Sequence, residues 1–426
     1  MAAGHGPGRE SGVTAVAART SFASVLRLRE FRALWLAELL SVCGDQLARV
    51  ALAILVFHRT DSAALTGLTY ALTYVPTLVG GVLLAGWGDR RSRRDVMVWT
   101  DLARAALVGV MVVPGMPLWV LCVLVAVMTL FGGPFKAAQQ ATLPEILTGE
   151  QYTVGMALRN VTMQSAQLVG FGAGGMLVAA VGPGVGLTVN AATFAVSALV
   201  TRFGVRYRDP VASAAEPGWR AFLRSTTSGA RLVWQDTGLR TLVGLNWLAG
   251  FYVVPETIAA PYAATLGVGT ATVGWLMAAD PIGSVLGGIV FGKWVPERVQ
   301  VRALGLLGVA AGIPLVLCFA HPGLVPSMLL FATSGLLATG YNIQGVVQFM
   351  RRLPNGQRAQ GSGLNSTGLV TVQGLGAAAA GGLADLIGPA KTIAAAGTAG
   401  VAMAVPIALA WGRTRQPVTE PEGRAE

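Results

Sequence analysis

The chain has 426 residues, of which 53% are hydrophobic and only 12% are charged. Soluble domains carry about 25% charged residues, so this composition excludes an ordinary soluble globular protein and indicates an integral membrane protein. The net charge of +11 raises nucleic acid as a partner, but the basic residues punctuate apolar runs instead of forming one patch, and we expect no nucleic-acid partner.

Apolar runs long enough to cross a bilayer follow one another along the chain. Because about 20 helical residues span the hydrocarbon layer, each run of this length predicts one transmembrane helix. Twelve spans are predicted, at 31–57, 64–86, 95–115, 118–142, 152–180, 184–204, 238–264, 270–292, 301–320, 324–349, 360–386 and 390–411. A polar, Arg-rich link separates spans six and seven, and its stretch 219–235 is predicted to form an amphipathic helix on the membrane surface.

The long link divides the spans six and six. The predicted organisation is a cytoplasmic N-terminal tail (1–30), a six-helix bundle (31–204), a cytoplasmic linker (205–237), a second six-helix bundle (238–411) and a cytoplasmic C-terminal tail (412–426). With both termini inside, 25 of the 31 basic residues fall in cytoplasmic segments and two in external loops, as the positive-inside rule requires. We therefore expect a multi-pass, monomeric protein of the inner (plasma) membrane.

The two halves of the chain repeat one another. The stretch GGVLLAGWGDRR at 80–91 aligns without gaps on GGIVFGKWVPER at 287–298. Shifts of 207 and 206 residues also pair Gly67 with Gly274, Gly175 with Gly381, and Gly182-Pro183 with Gly388-Pro389. Two six-helix halves in parallel repeat are typical of transporters, whose substrate site lies between the halves near the bilayer midplane.

Several local motifs resemble the major facilitator superfamily. In the loop between spans two and three, Asp89, Arg90, Arg93 and Arg94 match the family pattern G-x-x-x-D-R-x-x-R-R, with Ala85 in place of the first glycine. Motifs similar to the drug:proton antiporter branch, which includes macrolide and siderophore exporters, are Leu34-Trp35, Gly44-Asp45, Asp101 to Arg104, Leu143-Pro144 and Asn190. The resemblance implies an all-α membrane protein of twelve transmembrane helices in two six-helix pseudo-symmetric bundles.

Charged residues inside the spans are candidates for mechanism, because a charge at the bilayer centre costs about 2.5–3.5 kcal/mol. The proton-coupling candidates are Asp45, Arg49, Asp280, Glu256 and Glu38. Asp45 and Arg49 stand four residues apart on one helix face, where they can form an ion pair. Asp280 and Glu256 adjoin prolines, and an isolated carboxylate there can bind and release protons. The alternative for each is a structural ion pair or a neutral, hydrogen-bonded carboxyl.

A second group of charges is expected near the cytoplasmic face. It comprises Asp89, Arg90, Arg93, Arg94, Asp101 and Arg104. The resemblance implies that these residues form a gate whose contacts hold in one state and break in another; the alternative is a signal for membrane topology alone. Asp385, near the outer end of span eleven, is expected to be a solvated end charge. Lys136 and Arg159 can contact an anionic substrate or a lipid headgroup.

Other residues are candidates to line a substrate cavity. They are Gln167, Asn246, Tyr252, Met277, Asn342 and Gln373. Packing against neighbouring helices or lipid is the alternative role for such side chains. No catalytic residue, metal site or cofactor is expected, because the sequence lacks a His or Cys cluster with ligand spacing and lacks the phosphate-binding loop G-x-x-x-x-G-K-[ST].

These observations predict a secondary active transporter and not an enzyme. The expected activity is proton-coupled efflux of an amphipathic organic compound, such as a drug, antibiotic or siderophore, by alternating access. Proton-coupled uptake or uniport of a small metabolite is the alternative, and a non-transporting membrane scaffold is a further one. The expected partners are this small molecule, protons and the lipid bilayer.

Overall fold

The computed structural model describes residues 21–84, 90–210 and 219–414, and every structural statement below concerns those residues. Within them the chain folds into eighteen α-helices and two short 3₁₀-helices, with no β-strand. The first eight helices are α1 (Phe22–Leu26), α2 (Arg29–Thr60), α3 (Ala63–Ala71), α4 (Val75–Leu83), α5 (Arg93–Met111), α6 (Leu118–Ile146), α7 (Glu150–Val181) and α8 (Pro183–Gly204).

The remaining helices follow the same plan. They are α9 (Trp219–Gln235) in the link, then α10 (Thr237–Trp247), α11 (Ala249–Tyr252), α12 (Val254–Thr257), α13 (Ala259–Thr265), α14 (Ala271–Lys293), α15 (Glu297–Val316), α16 (Leu324–Arg352), α17 (Arg358–Ile387) and α18 (Pro389–Thr414). The 3₁₀-helices cover Leu317–Ala320 and Asn355–Gln357.

The described helices account for all twelve predicted spans. Nine of them are long and apolar enough to cross a membrane, and the bent segment Thr237–Thr257 plus Ala259–Thr265, whose parts meet at 45°, adds a tenth. The other two spans are α3 with α4, which are too short singly, and α5, whose charged residues lower its hydropathy. The predicted all-α fold of two six-helix bundles is confirmed, and helix ends lie within a few residues of the predicted spans.

Proline explains the two interrupted spans, which the hydrophobic pattern alone predicts as continuous. Pro76 lies in the first turn of α4, and Pro255 lies in the first turn of α12. A proline inside a helix lacks the N–H needed for the hydrogen bond four residues back and crowds that carbonyl group. The helices are therefore interrupted at these points, both of which adjoin the cavity described below. The 45° bend lies at Ile258, just before α13, whose first turn contains another proline, Pro261.

The bundle has two ends, which we call the linker face and the opposite face. The linker face carries α9 and the end of α6, whereas the opposite face carries the turns after α2, α7 and α17. The turns after α7 and α17 occupy equivalent positions of the sequence repeat. Gly182 and Gly388 end these two helices with φ angles of +87° and +89°. Glycine adopts this left-handed conformation without steric cost, and the proline that follows each one starts the next helix.

Two pairs of helices join the halves toward the opposite face. In the α3–α17 seam Gly67 lies against Gly381, and in the α7–α14 seam Gly175 lies against Gly274. A Cβ atom at Gly67 would lie 2.7 Å from the carbonyl oxygen of Ala377, and one at Gly175 would lie 2.6 Å from the Cα atom of Gly274. Such close backbone approach requires glycine. The sequence repeat exchanges these glycines, so the two seams are equivalent by pseudo-symmetry.

A carboxylate strengthens only the α3–α17 seam. Asp385 accepts hydrogen bonds from Ser62 Oγ at 2.8 Å and from the backbone N–H groups of Ala63 at 2.6 Å and Ala64 at 3.1 Å. A negative charge is favourable at the start of α3, where backbone N–H groups lack helical partners. Asp385 is exposed, as expected for an end charge, but it also ties the second half to the first.

The link helix α9 forms over the predicted stretch 219–235. Its Val233 is fully buried, whereas Trp219 and Trp234 are exposed. A Cβ atom at Gly229 would lie 2.6 Å from the carbonyl oxygen of Gln360 at the start of α17. One side of α9 therefore packs on the second half and another side is left uncovered.

Candidate functional site

A central cavity of about 520 Å³ lies between the two halves. Its wall is formed by α2, α4, α5, α6 and α7 of the first half and by α11, α12, α14, α16 and α17 of the second half. Its volume falls within the range of about 300–1,000 Å³ that is usual for small-molecule sites. The two glycine seams lie between this cavity and the opposite face.

Four of the six residues expected to line a cavity do so, namely Gln167, Tyr252, Asn342 and Gln373. The other two lie elsewhere. Met277 is fully buried in the packing of α14, and Asn246 donates a hydrogen bond to Asn365 Oδ1 at 3.1 Å beside a second, very small cavity. Composition identifies polar and apolar residues of a span, but the rotation of each helix decides which side faces the cavity.

Charged side chains are concentrated on the cavity wall. All five proton-coupling candidates line it, together with two basic residues, which gives the set Glu38, Asp45, Arg49, Glu256, Asp280, Arg104 and Lys136. Most of these side chains belong to three separate ion-pair networks. Two of the side chains have no partner within the described residues.

The first network is centred on Arg104. Its Nη2 atom donates to both oxygens of Asp45, at 3.0 and 2.9 Å, and its Nη1 atom lies 3.6 Å from Asp101 Oδ1. Asp101 is fully buried and accepts a hydrogen bond from Ser197 Oγ at 2.5 Å. The guanidinium group also lies 3.9 Å from the ring centre of Phe194. Two carboxylates thus share one buried cation.

This network changes two predictions. Arg104 lines the cavity with Asp45, and Asp101 is buried behind it, so neither residue pairs with the loop at the linker face. The expected pair between Asp45 and Arg49 does not form, because each side chain has a partner on another helix.

The second network joins the two halves. Arg49 Nη1 lies 3.8 Å from Glu256 Oε1, and the hydroxyl of Tyr70 donates a hydrogen bond to the same carboxylate. The Arg49 guanidinium also lies 4.9 Å from the ring centre of Tyr74 and 5.5 Å from that of Tyr70. Arg49 and Glu256 are 207 residues apart, so they occupy equivalent positions of the repeat and pair across its axis.

The third network lies within the first half. Arg159 donates through Nε and Nη2 to both carboxylate oxygens of Glu38, with Nη2 at 2.5 Å from Oε1. The same Nη2 atom lies 3.2 Å from Gln139 Oε1. A two-pronged pair of this kind is among the stronger charge-assisted interactions. Arg159 is thereby committed to a protein carboxylate instead of a substrate or a lipid.

Lys136 and Asp280 remain. Both line the cavity, Lys136 from α6 and Asp280 from α14. Within the described parts of the chain, neither side chain makes a hydrogen bond or an ion pair. The cavity therefore presents one unpaired cation on the first half and one unpaired carboxylate on the second.

The arginine-rich loop lies at the linker face, and Asp89 falls outside the described residues. Arg90 is exposed. Arg93 donates to Glu145 Oε1 at 2.5 Å at the end of α6, and Arg94 pairs with its neighbour Asp95 at 3.2 Å. Arg94 also lies 5.0 Å from the ring centre of Tyr207 at the start of the linker. The described contacts of Arg93 and Arg94 are thus made with the first half and the linker.

Residues that sequence reasoning overlooked complete these networks, and they are Tyr70, Tyr74, Gln139 and Ser197. Each is a polar side chain inside an apolar span, which is the only signal that the sequence offers. Many other polar side chains share that signal, and it does not distinguish those that lie opposite a charge.

Comparisons with known proteins agree with this architecture. A sequence model of the Major Facilitator Superfamily matches residues 34–256. The multidrug efflux pump Tap of Mycobacterium tuberculosis is 27% identical over 319 residues, covering 71% of this chain and 74% of that protein. The enterobactin exporter EntS of Escherichia coli is 25% identical over 386 residues, covering 86% and 88%.

A solved structure shows the same fold. The crystal structure of a POT family transporter in complex with 5-aminolevulinic acid superimposes with a TM-score of 0.70 at 11% identity, covering 92% of this chain and 97% of that one. The family match covers more than half of the chain, and the fold agrees with it over nearly the whole length. The chain belongs to the major facilitator superfamily.

Proposed function

We propose that this protein is a secondary active transporter that exports an amphipathic organic compound from the cytoplasm in exchange for protons. The observation that carries the proposal is the cavity between the halves, whose wall combines apolar side chains with the unpaired carboxylate of Asp280. The similarity to Tap and EntS, which are named as an efflux pump and an exporter, supports the outward direction.

Asp280 is the proposed proton carrier. It is half-buried on α14, directly before Pro281, and no cation of the described chain pairs with it. In a sheltered cavity without a counter-charge, the charged form of a carboxylate is poorly stabilised, so the side chain readily accepts a proton. Glu256 and Asp45 are held by arginines, so we assign them to coupling the proton to movement of the halves and not to carrying it.

Alternating access follows from the contacts between the halves. The excess of basic residues supports assigning the linker face to the cytoplasm. The state described here is then closed to the outside by the two glycine seams, the Asp385 contact and the Arg49–Glu256 pair. Export requires these contacts to separate, while the linker face closes. We propose that Asp89, Arg90, Arg93 and Arg94 form the cytoplasmic gate in that other state.

The proposal includes the oligomeric state, the membrane and the orientation of the protein. We propose a monomer in the plasma membrane with both termini in the cytoplasm. Protons enter from outside down their gradient, and the exported compound enters the cavity from the cytoplasm.

Everted membrane vesicles test the proposal. A pH gradient, acidic inside, is expected to drive accumulation of the fluorescent dyes rhodamine 110 and rhodamine 123 by the wild type. Asp280→Asn is expected to abolish this accumulation because the proton carrier is lost, and Asp45→Asn is expected to reduce it. Arg351→Gln, which removes an exposed ion pair with Glu297, is the matched control and retains it.

Two results would contradict the proposal. Accumulation that persists in both Asp280→Asn and Asp45→Asn would remove the proton-coupling assignment. Proton-driven accumulation in right-side-out vesicles, in place of everted ones, would show uptake and reverse the proposed direction.

A further inference from the structure

The charges of the central cavity do not cancel pair by pair. Arg104, Arg49 and Arg159 are each engaged by a carboxylate of the wall. Among the cavity-lining cations of the described residues, Lys136 is the one whose side chain makes no hydrogen bond or ion pair, and it belongs to the first half. An anion bound in the cavity would supply the direct partner that these residues do not.

Lys136 lies on the face of α6 that forms the cavity wall. Gly132, Phe135 and Gln139 of the same helix also line the cavity, as expected for residues three and four positions apart. The lysine side chain is exposed although it lies within a membrane-spanning helix, and the space to which it is exposed is the cavity. An ammonium group in this position has three hydrogen-bond donors directed at a ligand-sized space.

The carboxylates whose charges act on Lys136 do not pair with it. Asp45 and Glu38 are the acidic groups whose fields reach Lys136, and Arg104 and Arg49 are basic groups that repel it. Asp45 already accepts two hydrogen bonds from Arg104, and Glu38 accepts two from Arg159. Both carboxylates are therefore engaged by arginines and do not pair with Lys136, whose ammonium group is left to bind an added anion in the cavity.

We infer that the transported compound carries an ionised carboxylate, which Lys136 binds in the central cavity, while its apolar body lies against side chains such as Phe135 and Met128. The inference rests on the proposed function and specifies its substrate class. A compound that is only cationic would leave Lys136 unpaired and be repelled by it. An amphipathic acid gives Lys136 a direct ion-pair partner, and a zwitterion whose basic group approaches Asp280 gives that carboxylate a partner as well.

A pair of dyes that differ in one group tests the inference. Rhodamine 110 carries a free carboxylate, and rhodamine 123 is its methyl ester. Their dissociation constants are measured by fluorescence anisotropy on the purified full-length protein in detergent. The wild type is expected to bind rhodamine 110 about tenfold more tightly than rhodamine 123, because a hydrogen bond to a charged group contributes at least that much.

Two substitutions of Lys136 distinguish the effect of its charge from a general effect on folding. Lys136→Gln is expected to bring the ratio of the two dissociation constants close to one, and Lys136→Arg is expected to keep most of the preference. Lys293→Gln is the matched control, since Lys293 is exposed at the end of α14 and does not line the cavity. It is expected to keep the wild-type ratio.

Several outcomes would overturn the inference. They are equal affinities of the wild type for both dyes, a ratio that Lys136→Gln leaves unchanged, and no binding of either dye. Loss of the preference when phosphatidylglycerol is added to the micelles would also overturn it, because Lys136 would then be a lipid-headgroup site. Binding in detergent involves no proton gradient, so a failure of proton coupling in vesicles would contradict the proposed function and leave this ratio intact.

Discussion

Replacing Arg104 with glutamine is expected to lower the free energy of unfolding substantially, because this arginine is the shared counter-charge of two carboxylates. Its side chain is 7% exposed, that of Asp101 is 0% exposed and that of Asp45 is 30% exposed. Glutamine can still donate one hydrogen bond but carries no charge. Both carboxylates would then face each other across the helices, and the deeper one would have only Ser197 as a partner.

The size of this decrease in the free energy of unfolding depends on how deeply the charged side chains are buried. Removing one partner of a buried ion pair typically costs about 3–5 kcal/mol, because the other charge is left uncompensated. Asp45 is partly solvated, so its share of this cost is reduced and we expect about 3 kcal/mol in total for Arg104→Gln. Adding Asp101→Asn removes the uncompensated buried charge and is expected to restore about 1–2 kcal/mol. The exposed pair of Arg351 with Glu297 provides a scale, since Arg351→Gln is expected to cost less than about 1 kcal/mol.

The assay is equilibrium unfolding of the purified protein in mixed micelles, with sodium dodecyl sulfate as denaturant and tryptophan fluorescence as the signal. Arg104→Gln is compared with Arg351→Gln, and the double variant Arg104→Gln/Asp101→Asn is compared with Arg104→Gln alone. If Arg104→Gln is as mild as Arg351→Gln, the cluster is not a buried charge network. If Asp101→Asn destabilises the Arg104→Gln protein further, the two carboxylates do not repel each other and the reasoning is wrong.

Three further predictions concern the contacts between the halves. Gly175→Val is expected to separate the α7–α14 seam, because its Cβ atom would lie 2.6 Å from the Cα atom of the facing glycine. The distance between spin labels placed on the two halves at the opposite face should then increase. The control is Gly288→Val, whose Cβ atom would meet nothing within 4 Å, and it should leave this distance unchanged. An unchanged distance in Gly175→Val would contradict the seam. Asp385→Asn is expected to weaken the α3–α17 seam by about 1 kcal/mol, because a neutral amide oxygen replaces the charged acceptor of these hydrogen bonds, and to raise the open population in the same distance measurement. A more closed population would count against this. Glu256→Gln leaves Arg49 without its counter-charge and is expected to lower proton-driven dye accumulation at least about tenfold, whereas undiminished accumulation would show that this pair is not needed.

Most of the fold could be predicted from the sequence because apolar length is a property of each segment alone. The hydrophobic runs predict all twelve spans, and the link between spans six and seven predicts α9. The break after Ala71 was not predicted, and the prolines beside Glu256 and Asp280 indicate kinks but do not show that only the first of these two spans is interrupted. A proline in an apolar run bends or interrupts a helix according to what packs beside it, and that depends on the other helices.

The candidate site could be predicted only in part. The sequence identifies charged residues inside the spans because each such charge is costly, and all five proton-coupling candidates line the cavity. It does not identify their partners, because Asp45 and Arg104 are 59 positions apart and meet only when α2 packs beside α5. The helical spacing of Asp45 and Arg49 is favourable, but a cation on a facing helix competes with it. Lys136 becomes informative only when the other cations are seen to be paired.

The carboxylate of Asp385 has a consequence for the order of events in the transport cycle. The repeat that exchanges the two glycine seams places Ala179 where Asp385 stands, and Gly269 where Ser62 stands, so the α7–α14 seam has no equivalent set of hydrogen bonds within the described residues. The two seams therefore differ in strength although their backbones match. We expect the halves to part first along α7 and α14 and to pivot about α3 and α17, so that the outward path begins as a cleft on one side of the molecule.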